Sequence, residues 1–261
     1  MHYVIGDIHG QLTALKLLLT KLNWDPAQDS LTFVGDLVDW GPESIPALLF
    51  VMELQRSGSA EVLLGNHDLM MRQVIAEDTA QLDVLSGEHV WALNRGDVTL
   101  RQYLELEPAV RREILDWLNA RPVEQHLQLG ETVFCICHSI PLAAARQCCA
   151  RYDNNPEIAA VWHRLYHGGI DPTWGDETLV RGHSITKSRQ VDFYDRCIDI
   201  DCGAKCMHID TLEQADGDAD FLERCHQSQL AALCLETLQP YYVTQQELLP
   251  LLNRTQAGEN A

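Results

Sequence analysis

Two aspartates three residues apart, Asp36 and Asp39, stand between Gly35 and Gly41 directly after the apolar run Leu31-Thr32-Phe33-Val34. Glycine lets the backbone enter conformations closed to residues with a side chain, so such a turn can aim both carboxylates into one crevice. Similar turns occur on either side of it in the chain, Gly6-Asp7-Ile8-His9-Gly10 and Gly65-Asn66-His67-Asp68, each again after an apolar run. Further on, His138 follows Val133-Phe134-Cys135-Ile136-Cys137, and His183 follows Thr178-Leu179-Val180-Arg181-Gly182. Carboxylate and amide oxygens mixed with imidazoles suit first-row divalent ions and require no thiolate. A single ion leaves several of these donors unused. Two ions sharing one carboxylate use them all, and paired ions roughly 3.5–4 Å apart serve phosphoryl hydrolysis.

These residues need strands to deliver them. Tyr3-Val4-Ile5 is a short apolar strand, and Leu12, Leu15, Leu18, Leu19 and Leu22 then recur at helical spacing. Strand 31–34 repeats the plan with a helix from Glu43, Pro46 lying in its first turn, and Val62-Leu63-Leu64 repeats it again with a helix through Leu69, Met70 and Val74. Ligands of open α/β folds bind beyond the carboxyl ends of strands, where all of these turns fall. Residues 77–130 read as a helical excursion, started by Pro108 and stopped before Pro122 in its clearest part. Pro156–Leu165 predicts a helix; Gln190–Phe193, Cys197–Ile200 and Leu230–Leu235 predict strands; Thr244–Leu252 predicts a helix with capping-box spacing between Thr244 and Glu247. The acidic stretch 207–227 reads as a solvated insertion and 253–261 as a flexible tail, leaving one domain over 1–252.

Composition narrows the classes of function. With 261 residues the chain can bury a substantial core, and a formal charge of −19 argues against a general nucleic-acid or anionic-membrane surface. The chain opens on a strand-like segment in place of a basic and apolar leader, so a cytoplasmic location is expected, with nine cysteines as reduced thiols. Neither nucleic acid nor membrane is expected as a partner.

The ordered set Gly6-Asp7-Ile8-His9-Gly10, Gly35-Asp36-Leu37-Val38-Asp39-Trp40-Gly41, Gly65-Asn66-His67-Asp68, Ile136-Cys137-His138 and Gly182-His183 resembles the motifs of the phosphoprotein phosphatase (PPP) family of metallophosphoesterases. Trp91–Leu100, Trp162-His163-Arg164 and Ile200-Asp201-Cys202-Gly203-Ala204 resemble further stretches of bacterial and phage members. The resemblance covers roughly residues 1–240 and implies an α/β fold, a central β-sandwich of mixed sheets flanked by helices (αββα). It implies that Asp7, His9 and Asp36 hold one metal ion, that Asn66, His138 and His183 hold a second, and that Asp36 bridges them. Manganese is the expected pair of ions, with iron, zinc, cobalt or nickel also fitting. A hydroxide shared by the ions would attack phosphorus, His67 would protonate the leaving oxygen with Asp39 orienting it, and Arg164 and Asn66 would contact the phosphate.

One departure bears on substrate. The residue after the second aspartate is typically a phosphate-binding arginine in the resembling family, and here it is Trp40. Arg95 is the first candidate to replace it, with Arg72 and Arg181 behind, while the indole itself is suited to stacking on a nucleobase or phosphotyrosine. The leading expectation is a phosphatase of phosphomonoesters, phosphoproteins among them. The runner-up is a hydrolase of diadenosine tetraphosphate or a related nucleotide, favoured by Asp68 and by Trp24-Asp25-Pro26-Ala27-Gln28-Asp29. A metal-binding scaffold without activity is the third reading.

Overall fold

Alternate residues of the first strand separate onto two faces, and where they go defines the architecture. In β1 (His2–Ile5), Tyr3 and Ile5 pack among the helices, while Val4 joins Val34, Leu63, Phe134, Ile136, Val180 and Ile198 in a second buried cluster. That cluster draws on two different sheets, which therefore face each other across it. The computed structural model describes residues 1–87, 89–164 and 175–258.

After β1 the chain runs through α1 (Leu12–Leu22), β2 (Ser30–Phe33), α2 (Ser44–Arg56), β3 (Ala60–Val62) and α3 (Asn66–Ile75). Leu12, Leu15, Leu18, Leu19 and Leu22 of α1 are all buried, each worth about 1.5–3 kcal/mol on transfer from water. β1 pairs parallel with β2, His2 opposite Ser30 and Ile5 opposite Phe33, and β2 pairs parallel with β3. Helices α4 (Asp78–Ser86), α5 (Val90–Leu93), α6 (Gly96–Leu104) and α7 (Pro108–Asn119) follow, then β4 (Glu124–Leu129) and β5 (Thr132–Cys137). Next come α8 (Leu142–Cys148), α9 (Pro156–Trp162), β6 (Thr178–Arg181), β7 (Asp192–Phe193), β8 (Cys197–Asp199), α10 (Ala219–His226), β9 (Gln229–Cys234), β10 (Gln239–Thr244) and α11 (Gln245–Gly258). The first sheet has the order β10-β9-β1-β2-β3 and the second β4-β5-β6-β8-β7. Both are mixed: β5, β6 and β8 run parallel, and β4, β7, β9 and β10 each pair antiparallel.

Several expectations shift at their edges. The helical stretch expected over 77–130 ends at Asn119, and 124–129 is an edge strand whose alternating polar residues conceal it. The helix expected to reach Leu165 ends at Trp162, Leu165 itself lying outside the described residues. Of Gln190–Phe193 only Asp192–Phe193 is strand. β10 was not among the expected strands; it lies at the edge of its sheet, where its Pro240 is tolerated. The capping box is present, with Thr244 N donating to Glu247 Oε2 at 2.9 Å and Glu247 N to Thr244 Oγ1 at 3.4 Å, but the helix it starts runs on to Gly258 where a tail was expected from 253. The acidic stretch is not merely solvated: Cys206, Ile209, Ala215 and Cys225 form a small buried cluster of their own beneath α10. All nine cysteines are free, and no helix among the described residues is long and apolar enough to cross a membrane.

The turn after β2 lies against the turn after β3. Gly35 has φ +100°, and a Cβ there would overlap the backbone of Gly65. Gly35→Ala is therefore expected to lose about 2 kcal/mol or more of stability, read from the urea midpoint of the full chain. An unchanged midpoint would show that the two turns can separate.

Candidate active site

The loops after β1, β2, β3, β5 and β6 converge, and backbone hydrogen bonds lace them together. Asp36 O accepts from Ile8 N at 3.1 Å and His9 N at 2.8 Å, Gly10 N donates to Leu37 O at 2.9 Å, and Gly41 N donates to His9 O at 3.0 Å. Asp68, whose part in the site the sequence did not reveal, ties the second turn to the third: Oδ1 accepts from Leu37 N and Oδ2 from Gly65 N, both at 3.0 Å. Burial, with the Asp36 charge adding to it, pushes the Asp68 carboxyl up to about 7. His9, Asp36, Asp39, Trp40 and His183 all have positive φ, a conformation costing on the order of 1–3 kcal/mol per residue and concentrated at functional sites.

Asp36 faces imidazoles on two sides. Its Oδ2 lies 3.5 Å from His9 Nε2 and its Oδ1 lies 3.5 Å from His138 Nε2. On the second side, Asn66 Oδ1 is 3.1 Å from His138 Nε2 and 2.8 Å from His183 Nδ1, and those two nitrogens are 3.2 Å apart. Backbone carbonyls set the tautomers: His9 Nδ1 donates to Val38 O and His138 Nδ1 to Val34 O, each at 3.0 Å, leaving both Nε2 atoms with a lone pair toward the cluster. Asp7 joins the turn after β1 to the loop after β6, its Oδ1 accepting from His183 N at 3.2 Å and its Oδ2 at 2.9 Å. A Cβ on Gly182 would overlap Asp7 Oδ1, which accounts for the glycine before His183.

The electrostatics fit divalent cations. Burial lowers the pKa of His9, His138 and His183, keeping the imidazoles neutral, the form that ligates metal. Burial and then the charges of Asp201 and Asp36 push Asp7 well above the usual carboxylate range. Burial works against ionised Asp36 as well, but its carboxyl is held low by the imidazoles around it, His138, His67, His9 and His183, of which His67 is the one whose own pKa is raised. Asp7, Asp36 and Asp201 are thus crowded together in a dry pocket, each ionised carboxylate disfavouring the ionisation of the next. Asp201 was quoted only as part of a family-like stretch, without a role; it is buried beside the other two, its Oδ1 accepting from Gly203 N at 2.9 Å.

His67 and Asp39, which the family resemblance pairs, lie in contact. His67 Nδ1 lies 2.6 Å from Asp39 Oδ2, and His67 N donates to Asp36 Oδ1 at 2.9 Å. Burial pulls the imidazole down, while the charges of Asp36 and Asp39 outweigh it and raise the pKa. Asp39 is fixed by two further donors from the helical excursion, Thr99 Oγ1 to Oδ1 and Trp91 Nε1 to Oδ2, both at 2.6 Å. Both belong to the family-like stretch Trp91–Leu100, which the sequence reading quoted without assigning either a role.

The arginines sort clearly. Arg164 reaches the cluster, Nη1 donating to His183 O at 3.4 Å. Arg72 is engaged by Glu157 through two hydrogen bonds at 3.1 and 3.0 Å, and buried Arg181 by Asp199 at 2.6 and 3.2 Å, so neither takes the place of the missing arginine. Arg95 does come to Trp40, its guanidinium carbon 5.9 Å from the ring centroid. Lys205 Nζ also lies over that ring, at 4.8 Å. The ring expected to stack on a base or phosphotyrosine seats two cations.

Residues 3–199 match the calcineurin-like phosphoesterase sequence family. Symmetrical bis(5'-nucleosyl)-tetraphosphatases of Thioalkalivibrio sulfidiphilus and Pseudomonas fluorescens are each 33% identical to this chain, over 187 and 188 residues. Those matches take in 68% and 70% of this chain but 61% and 59% of the relatives, so the chain spans about three fifths of their length. Among solved structures, a protein provisionally described as a diadenosine tetraphosphatase superposes with a TM-score of 0.58 at 19% identity, covering 93% of this chain and 92% of its own. A cold-active protein-tyrosine phosphatase of a psychrophilic Shewanella does so with 0.54 at 16%, covering 93% and 80%. At those identities the structural likeness speaks to the fold alone.

If Asp36 joins the two sides, Asp36→Asn should reduce the manganese retained by the full chain from about two ions to at most one, measured by elemental analysis after desalting. Asp39→Asn, one turn away, should leave the metal content unchanged. Equal retention by both variants would contradict the geometry.

Proposed function

The chain belongs to the calcineurin-like phosphoesterase family, and on that premise we propose that it is a metal-dependent phosphoric-ester hydrolase acting on nucleotides that carry a chain of phosphates, a dinucleoside tetraphosphate first among them. The single observation that carries the chemistry is Asp36, flanked at 3.5 Å by His9 on one side and His138 on the other. The substrate class is supported by the relatives, named as symmetrical tetraphosphatases. This moves the runner-up of the sequence reading to the front and phosphomonoesters behind it.

Asp7, His9 and Asp36 are assigned to one ion, and Asn66, His138 and His183 to the other, with Asp36 shared. Bound divalent ions supply Lewis acidity toward the phosphate and lower the pKa of water enough for attack near neutral pH. Manganese is the expected ion, and iron, zinc, cobalt or nickel also suit these donors. His67 delivers a proton to the leaving oxygen from Nε2, because Nδ1 is engaged by Asp39. Asp39 keeps the imidazole charged and aimed, and Thr99 and Trp91 keep Asp39 from turning. Arg164, beside His183, holds an oxygen of the scissile phosphate together with Asn66. A cytoplasmic setting accords with free cysteines.

A second reading, phosphomonoesterase including phosphoprotein phosphatase, is favoured by the same dyad. A poor alkoxide leaving group depends on a well-aimed acid more than a phosphate leaving group does. Manganese-loaded full chain is expected to hydrolyse diadenosine tetraphosphate with kcat/KM at least about tenfold above phosphopeptides and p-nitrophenyl phosphate; the reverse ranking would establish the second reading. Inactivity of metal-replete protein on the whole panel would favour the scaffold. His67→Asn should retain metal and lower kcat by ~10²- to 10⁴-fold, most for leaving groups of high pKa. A uniform loss across leaving groups would remove the proton-donor role.

A further inference from the structure

In a chain with 38 acidic against 19 lysine and arginine side chains, two cations meet on one indole at the rim of the ligand cluster. Lys205 Nζ and the Arg95 guanidinium lie 4.8 and 5.9 Å from the Trp40 ring, within the range over which a ring face attracts a cation. Trp40 follows Asp39 directly, with φ +68°, and Gly41 N anchors the turn on His9 O. The short turn Ala204–Cys206 that carries Lys205 is pinned to the same place from the other side: Gln11 Nε2 donates to Ala204 O at 3.2 Å, and Gly203 N to Asp201 Oδ1 at 2.9 Å.

Neither cation is spent on a buried partner. Lys205 has no ion pair or hydrogen bond among the described residues. Arg95 meets Asp216 at 3.4 Å, a pair exposed on both sides and weak through screening. Trp40 Nε1 is buried with no acceptor among the described residues. His208, bonded to Gln11 at 3.2 Å, brings no charge of its own, burial and the Arg95 charge pushing it down to about 4. Lys205 lies near enough to Asp7, Asp201, His9 and His67 for its charge to act on each of them. Such an ammonium, braced on an aromatic face beside a phosphate-binding cluster, is pre-organised for an anion.

We propose that Lys205 and Arg95, seated on Trp40, form a subsite for a second phosphate, the one next to the phosphate held at the metal-ligand cluster, and so select phosphoanhydride chains over lone phosphomonoesters. The placing of the first phosphate rests on the hydrolase reading above. Lys205 is the specificity residue, and Trp40 positions it.

The test is calorimetric binding of inorganic phosphate and of tripolyphosphate to the full chain in excess manganese. The native chain is expected to bind tripolyphosphate about tenfold more tightly, and Lys205→Ala to lose about tenfold for tripolyphosphate but under about threefold for phosphate, the scale of one charge-assisted contact. Lys205→Arg should keep most of the affinity. Equal loss for both anions, no loss, or a native chain that does not discriminate would overturn the subsite. Binding requires no turnover, so the two readings fail separately. Selective, Lys205-dependent binding without hydrolysis would sink the hydrolase and leave the subsite. Hydrolysis whose preference for diadenosine tetraphosphate over p-nitrophenyl phosphate is untouched by Lys205→Ala would do the opposite.

Discussion

The carboxylate of Asp36 is the group on which the rest of the site depends. It is nearly inaccessible to water, accepts a hydrogen bond from His67 N, and lies between His9 and His138. An ionised carboxylate in a dry interior persists only where positive charge or donors surround it. The architecture supplies that environment by bringing the ends of five strands from two sheets to one edge of the sandwich. Asp7 and Asp201 crowd two further carboxyls into the same volume, both raised by burial and by the Asp36 charge. Divalent cations are the partners that such a set of carboxyls, an amide oxygen and imidazoles suits.

What the sequence made legible follows from periodicity and punctuation. The strand ends carrying Asp7, Asp36, Asn66, His138 and His183 were readable because apolar runs stop at Gly-bounded polar turns, and the structure gathers those residues. The leucine stripe of α1 was readable for the same reason. Edge strands were not: Glu124–Leu129 is half exposed and alternates polar with apolar, and Gln239–Thr244 carries a proline. Burial on both faces is what makes a strand look like one, and an edge strand lacks it.

The groups missed within the site share another cause. Asp68 acts by accepting two backbone N–H groups, and Thr99 and Trp91 act on Asp39 from a different helical segment. Their roles exist only once separate turns are juxtaposed. Lys205 lies one residue beyond the family-like stretch ending at Ala204 and has no local pattern; only the fold sets it over Trp40. The substitution of tryptophan for arginine looked like a lost cation, yet the structure returns positive charge to that place from two distant segments.

The attachment of Asp39 to the excursion divides the site by origin. The groups assigned above to the ions come entirely from turns at strand ends, whereas the donors that steady the His67–Asp39 pair come from α6 and from α5 beside it. A lineage could therefore remodel the excursion and alter which leaving groups are tolerated while its hold on metal stayed as it was. Affinity for the ions and breadth of substrate are then separately heritable traits, carried on different stretches of one chain.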